Sequence, residues 1–534
     1  MSILRIVLAA MLFCGVVLSV SPVAAQVITK ADNNTALNDS NSYTPPTAPT
    51  ASNTILIAQP PLTANRISAV NADFSILGLE MTSNDFTFTI SGGTGIMTIG
   101  AGGITKTNNA SLTLATTIAL GANQTWTINA GNASTRFNLN VPEIIDNGYS
   151  LQVTGGNRLD ITRTGNVTLT NNVNLNTGSV IVNNSATVVT LGNANQTDSF
   201  QVIKGRAIGS TLGNFGVASS FGDGGTNSAI IMGGGSAGDF GFLEYTGGDA
   251  SSNRTFNFDR RTNGSEIRNM NASSTLTLSG AINNNQGGVT ANSTYSFGGS
   301  GSFILSGSQQ LKDNTDASFV TSLAKNGTGR LTITGDNSNT APTSGTFQGA
   351  TNVNNGVLVV EGTGSINSTS GISVADGAGF IYDSSTALTK GITLASGSRI
   401  GGDGSINAGA LTLGSGVNFV FDPLKTLDVT GAVSLANSFS VSSLVNIDGT
   451  MINWSGIADG TYTLINNGSD FSNISNFGLV NAADIGGGRS AYFQNGSLQL
   501  VVVPEPSTYL LGLLGLGAVA GARRLGRMRR SAAG

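Results

Sequence analysis

The sequence contains no histidine and a single cysteine, Cys14, among 534 residues. Imidazole acid–base chemistry and most zinc chemistry are excluded. Because Cys14 falls in a segment read below as a cleaved leader, the mature chain is expected to have neither a disulfide nor a thiol nucleophile. Charge is also scarce, at 10% of residues. With Arg5 and the five C-terminal arginines set aside, 19 basic residues face 29 acidic ones, a net −10. No basic patch of the kind that binds nucleic acid is present, and no nucleic-acid partner is expected. Large aromatic anchors are few: the tryptophans are Trp126 and Trp454.

Glycine, by contrast, is abundant, with 73 residues, and the apolar share is 39%. Disordered chains are rich in charge and poor in β-branched residues. Here short Val, Ile, Leu and Thr runs recur every few residues, punctuated by Gly and Asn, which is the pattern of strands and turns. The chain also aligns to itself. Gly371-Ile372-Ser373-Val374-Ala375-Asp376-Gly377, Gly391-Ile392-Thr393-Leu394-Ala395-Ser396-Gly397 and Ala410-Leu411-Thr412-Leu413-Gly414-Ser415-Gly416 share one frame, with weaker copies around Val353 and Leu435. A period of about 20 residues predicts a β-solenoid, each short strand pairing in parallel with its equivalent one coil away. Ile392 and Leu394 would point inward and Thr393 outward, because side chains alternate across a strand. Stacked Asn and Ser side chains would form ladders between coils. About 450 residues wound at this period, rising ~4.8 Å per coil, give a rod of about 110 Å. A β-sandwich array is the competing fold, but sandwich domains repeat near 100 residues. Between residues 55 and 300 the repeats are irregular.

The two ends carry their own signals. A basic start at Arg5, an apolar stretch over residues 6–20, and Ser21-Pro22-Val23-Ala24-Ala25 before Gln26 predict a Sec signal peptide over residues 1–25, cut by signal peptidase between Ala25 and Gln26. The stretch is short for an uncleaved membrane anchor. Residues 26–54, polar and aperiodic with Pro45, Pro46 and Pro49, read as a flexible linker to a body spanning 55–503. At the far end stand Val503-Pro504-Glu505-Pro506-Ser507-Thr508, an apolar run over 509–522, and then Arg523, Arg524, Arg527, Arg529 and Arg530. The prolines around Glu505 keep the backbone extended and out of helix or ladder bonds. Fourteen apolar residues make a short transmembrane helix, and the arginines would stop transfer on the cytoplasmic side.

This arrangement over residues 503–530 resembles the PEP-CTERM sorting signal of exopolysaccharide-producing Gram-negative bacteria. The resemblance implies processing by an exosortase, a membrane transpeptidase. It also implies an inner-membrane intermediate that passes to the cell surface or extracellular matrix. The body resembles the autotransporter-associated β-strand repeat in Gly327-Thr328-Gly329-Arg330-Leu331-Thr332-Ile333-Thr334-Gly335, in Thr351-Asn352-Val353-Asn354-Asn355-Gly356-Val357-Leu358-Val359-Val360-Glu361-Gly362, and in the frame of Gly299-Ser300-Gly301-Ser302-Phe303-Ile304-Leu305-Ser306-Gly307. That family implies a right-handed parallel β-helix passenger at a cell surface. Unlike autotransporters, the chain has no room for an outer-membrane barrel after its body, so the C-terminal signal would supply the route.

Without histidine, the serines are read as corner and rung residues rather than nucleophiles. Asp239 with Glu244, and Asp259 with Arg260 and Arg261, are the candidates for carboxylate chemistry on glycans, although isolated charges on an outer face explain them more simply. Gly401-Gly402-Asp403-Gly404-Ser405-Ile406 begins like a calcium-binding glycine repeat but has Ile406 at the ligand position, and Gly233-Gly234-Gly235-Ser236-Ala237-Gly238-Asp239 has the wrong spacing. No metal or cofactor is expected. The sequence reads as a non-enzymatic, adhesin-like surface protein associated with polysaccharide. A polysaccharide lyase or glycosidase and a self-assembling matrix protein are the alternatives.

Overall fold

The computed structural model describes residues 25–505, apart from 108, 129–135, 164, 170–172, 226–227, 235, 237, 259–264, 285–291, 315–318 and 340–345. The expected leader, up to residue 24, and the apolar C-terminal run therefore lie outside the described residues. The body is an all-β parallel solenoid of about 16 coils with almost no helix. Its core is built from files of apolar side chains that climb from coil to coil. One runs Leu276, Phe303, Leu331, Leu358, Phe380, Ile400, Phe419, Leu444, each opposite the next in register and each buried. A second runs Phe200, Ile230, Phe256, Ile282, Leu311.

Where the sequence frame is regular, the structure follows it. Val353 pairs with Val374, Val374 with Leu394, and Leu413 with Leu435. Ser373, Thr393 and Thr412 are exposed, as alternation requires. Elsewhere the coils are longer. Residues paired along the Phe200 file are 26 to 30 positions apart because the corners carry added loops. Fewer, larger coils shorten the expected rod from about 110 Å to roughly 75 Å at the strand spacing of ~4.8 Å.

Asn and Asp side chains tie the coils together at the corners, with each carboxyl or amide oxygen accepting from a backbone N–H of the next coil. Asn65 accepts from Thr87, Asp73 from Ile96, Asn123 from Ser150, Asp249 from Thr275, and Asn367 from Thr389, all at 2.8–2.9 Å. Direct side-chain ladders also occur, as in Asn354 to Asn326 at 2.8 Å and Ser434 to Thr412 at 3.0 Å. Glycine is demanded where coils touch: a Cβ on Gly329 would come within 2.0 Å of the Gly301 carbonyl oxygen, and one on Gly327 within 2.3 Å of that of Gly299.

Three lysines point into the core at strand ends. Lys30 donates to the carbonyls of Ala31 and Asn33 and to the Asn33 side chain at 2.7 Å. Lys325 donates to the carbonyls of Asn326, Gly327 and Asn355. Lys106 occupies a position whose neighbours in register are Met81 and Ile128. Lys30 and Lys325 thus serve corner carbonyls, and burial pushes the pKa of all three lysines down to about 8.

The expected flexible linker over 26–54 is instead the first coil and its lid. Gln26–Lys30 pairs in parallel with Asn53–Ile57 and antiparallel with Tyr43–Thr44, and Leu37 and Tyr43 are buried. Residues 31–42 cross the open edge of the strand Arg66–Ala69. Asn34 accepts from the Ile67 N–H, the Leu37 N–H donates to the Ala69 carbonyl, and Asp32 pairs with Arg66 at 2.6 Å. An uncovered edge strand invites pairing with another chain. Removal of residues 26–52 is therefore expected to turn a monodisperse body into aggregates, as read by light scattering.

Candidate functional site

Three regions concentrate chemistry. The first contains the carboxylates singled out in the sequence. Asp239 pairs with Lys204 at 2.8 Å and accepts from the Ser236 N–H. Glu244, 2% exposed, is gripped by the Arg206 guanidinium through both Nε and Nη2 and by Arg268 Nη1 at 3.1 Å. Arg268 Nε also donates to Glu266 at 2.6 Å, and its guanidinium lies 4.2 Å over the Phe242 ring. Burial opposes the Arg268 charge, but its bonds to Glu266 and Glu244 outweigh that and raise its pKa. These are not the isolated outer-face charges expected. Register brings Glu244 beside Arg268 and stacks Phe242 on Glu266, so three coils share one ion network. Glu244 and Glu266 are held by arginine, and Asp239 by Lys204. Asp259, Arg260 and Arg261 lie outside the described residues. Asp403 spends its side chain accepting from the Thr426 N–H, and Ile406 is buried. Among the described residues no three metal-ligating side chains converge.

The second region comprises two depressions on the outer surface. A polar groove of about 410 Å³ runs over Gly102, Thr105, Asn123, Thr125, Thr127 and Gln152. Thr127 stands opposite Thr105, and Thr125 opposite Gln152, so the hydroxyls and amides lie in files across coils. Nearer the C-terminus, Val357, Val359 and Ile381 form a small apolar cluster outside the main core. A pocket of about 360 Å³ lies between Ile381 and the segment carrying Ile447, Ile452 and Ile457.

The third region is the C-terminal end, where the solenoid changes from parallel to antiparallel pairing. The last strand, Leu498–Pro504, lies between Gly460–Asn466 and Arg489–Gln494 and is antiparallel to both. Pro504 is still in the ladder, opposite Arg489, and the Glu505 N–H donates to the Gly488 carbonyl at 2.8 Å. Residues 502–530, which include the end of this strand, match the family described as the PEP-CTERM protein-sorting motif. The chain carries a PEP-CTERM sorting signal.

The PEP-CTERM match includes Pro504, Glu505, Pro506 and Ser507 and the arginines Arg523, Arg524, Arg527, Arg529 and Arg530. Of these the structure describes Pro504 and Glu505. The motif implies an exported, envelope-directed protein and exosortase-type processing. No curated protein and no solved structure matches the chain. No described helix is long and apolar enough to cross a membrane, and residues 509–522 are outside that description. At the other end, Ala25 is exposed and Gln26 opens the first described strand, so the expected leader cut would fall just before that strand. Arg206, Lys204, Glu266 and Arg268 were missed in the sequence, and so was the pairing of Pro504 with Arg489. The available signal was alternation: Glu266 and Arg268 share one face with Ile267 between them.

Proposed function

We propose that this is a structural, adhesin-like β-solenoid of the cell envelope. It is exported through the Sec translocon, trimmed by signal peptidase after Ala25, held briefly in the inner membrane by residues 509–522, and delivered to the surface or matrix by an exosortase-type transpeptidase. The observation that carries this reading is the PEP-CTERM motif at 502–530, attached to a solenoid body. Association with extracellular polysaccharide is supported by the uncharged groove of Thr105, Thr125, Thr127 and Gln152, where hydroxyls and amides are spaced by the coil repeat. Such a face offers many weak hydrogen bonds and no aromatic platform, which suits adhesion through many contacts along a polymer.

Mass spectrometry of the C-terminal peptide from surface and inner-membrane fractions tests the delivery step. Loss of everything beyond the Pro504 region is expected in the surface form. Replacing Pro504, Glu505 and Pro506 together by alanine should lower the processed fraction by more than an order of magnitude. An intact Gly534 end in surface material would overturn the proposal. Release of reducing or unsaturated sugar ends by the purified body would overturn its non-catalytic part.

A further inference from the structure

Body and sorting motif share one ladder with no spacer. Val502 stands opposite both Ala491 and Gly460, Val503 opposite Ser490, and Pro504 opposite Arg489, and the Glu505 N–H closes on Gly488. The receiving strand is itself pinned. The Arg489 guanidinium donates to the carbonyls of Trp454 and Ile457 and faces Asp459 at 3.5 Å, while Ala491, Phe493 and Val502 are buried beneath the hairpin. Gly486, Gly487 and Gly488 all have positive φ, which brings the Gly488 carbonyl to Glu505. A membrane enzyme that takes the motif as an extended peptide needs the same backbone groups, and each can be bonded in only one place at a time.

We propose that the strand Arg489–Gln494 is an intramolecular receptor for the sorting motif and competes with the processing enzyme for it. The cut then follows release of Pro504 and Glu505, and the stability of the folded cap sets how much of the chain is processed. This rests on the reading that the tail is processed at all. The cut needs no oxidant or cofactor. The acyl carbon on the body side passes from the tail's amine to the enzyme's nucleophile and then to water or an amine acceptor, and the tail's amine takes up the proton.

The test uses the full-length chain in an exosortase-bearing host. Ser490→Cys with Val503→Cys places thiols on directly opposed residues, and a chain cut after Ala25 has no other cysteine to compete. The cross-linked protein should be processed more than an order of magnitude more slowly than the wild type, and a membrane-permeant reductant should restore the rate. Ser490→Cys alone should behave as wild type. Independently, a Gly/Ser spacer of about eight residues between Val503 and Pro504 frees the motif from the ladder and should speed processing in a pulse-chase. Wild-type rates in both the cross-linked and the spacer chains would overturn the receptor role while leaving processing intact. Absence of any cut, in the wild type and the spacer chain alike, would instead remove the processing reading itself.

Discussion

Replacing Arg268 by alanine is expected to loosen the middle of the solenoid by about 2–3 kcal/mol, since removing one partner of a buried ion pair leaves an uncompensated charge. The substitution takes from Glu244 one of its two arginines and from Glu266 the hydrogen bond that Arg268 Nε donates. It also removes the guanidinium from the Phe242 face. The cost falls below the about 3–5 kcal/mol of a fully buried pair because Arg206 stays on Glu244 and the Arg268 side chain is 29% exposed. Arg268→Lys keeps the charge but cannot reach both carboxylates with a planar fork, so an intermediate loss is expected. Coils of a solenoid open locally rather than all at once. The readout is therefore hydrogen exchange of the strands Gly241–Tyr245 and Glu266–Asn269. Unchanged protection there would show that the network carries no stability.

Stability is expected to rise from pH 8 to about 10 and fall beyond it, the reverse of the usual alkaline decline. Burial holds Lys30, Lys106 and Lys325 at about 8, with the Arg66 charge adding to the effect on Lys30. In the unfolded chain a lysine titrates near 10.5. Between those values the unfolded state binds protons that the native state does not, so stability climbs with pH. Above about pH 10 the sign reverses. Burial raises the pKa of Tyr43, Tyr245, Tyr295 and Tyr382, so the unfolded phenols lose protons that the native ones keep. Unfolding midpoints at pH 7.5, 9.5 and 11 check the curve, and a steady decline from 7.5 would contradict it. Lys325→Met should flatten the rise, with Phe297 and Val353 showing that an apolar side chain fits that position in the adjacent coils.

Register was legible wherever a strand alternated between small corners. Val353, Val374 and Leu394 stack as their spacing requires, and so do Leu413 and Leu435. The Gly299–Gly307 and Gly327–Gly335 phrases do sit one above the other, Phe303 on Leu331. The N-terminal lid was not legible, because apart from the Leu37 N–H its bonds to the edge run through side chains. Asn34 and Asp32 reach sideways to an edge, which leaves neither a period nor an apolar run. The ion network was hidden for another reason. Arg206 and Glu244 are 38 residues apart, and only the length of the intervening coil makes them neighbours. The inward lysines left a readable mark, since Leu323 and Lys325 share a strand face, but alternation gives the face and not which face is inside.

The last strand has a consequence for how the molecule bears load. Leu498–Pro504 is bonded along both sides, to Gly460–Asn466 and to Arg489–Gln494, and the chain leaves it at Glu505 within the sorting motif. Wherever that tail is held, drag on the body reaches the fold through this one strand. A pull along its axis strains both rows of bonds together, whereas a pull across it peels them singly. The same end of the protein would then grip under tension in one direction and let go in the other, as a ratchet does.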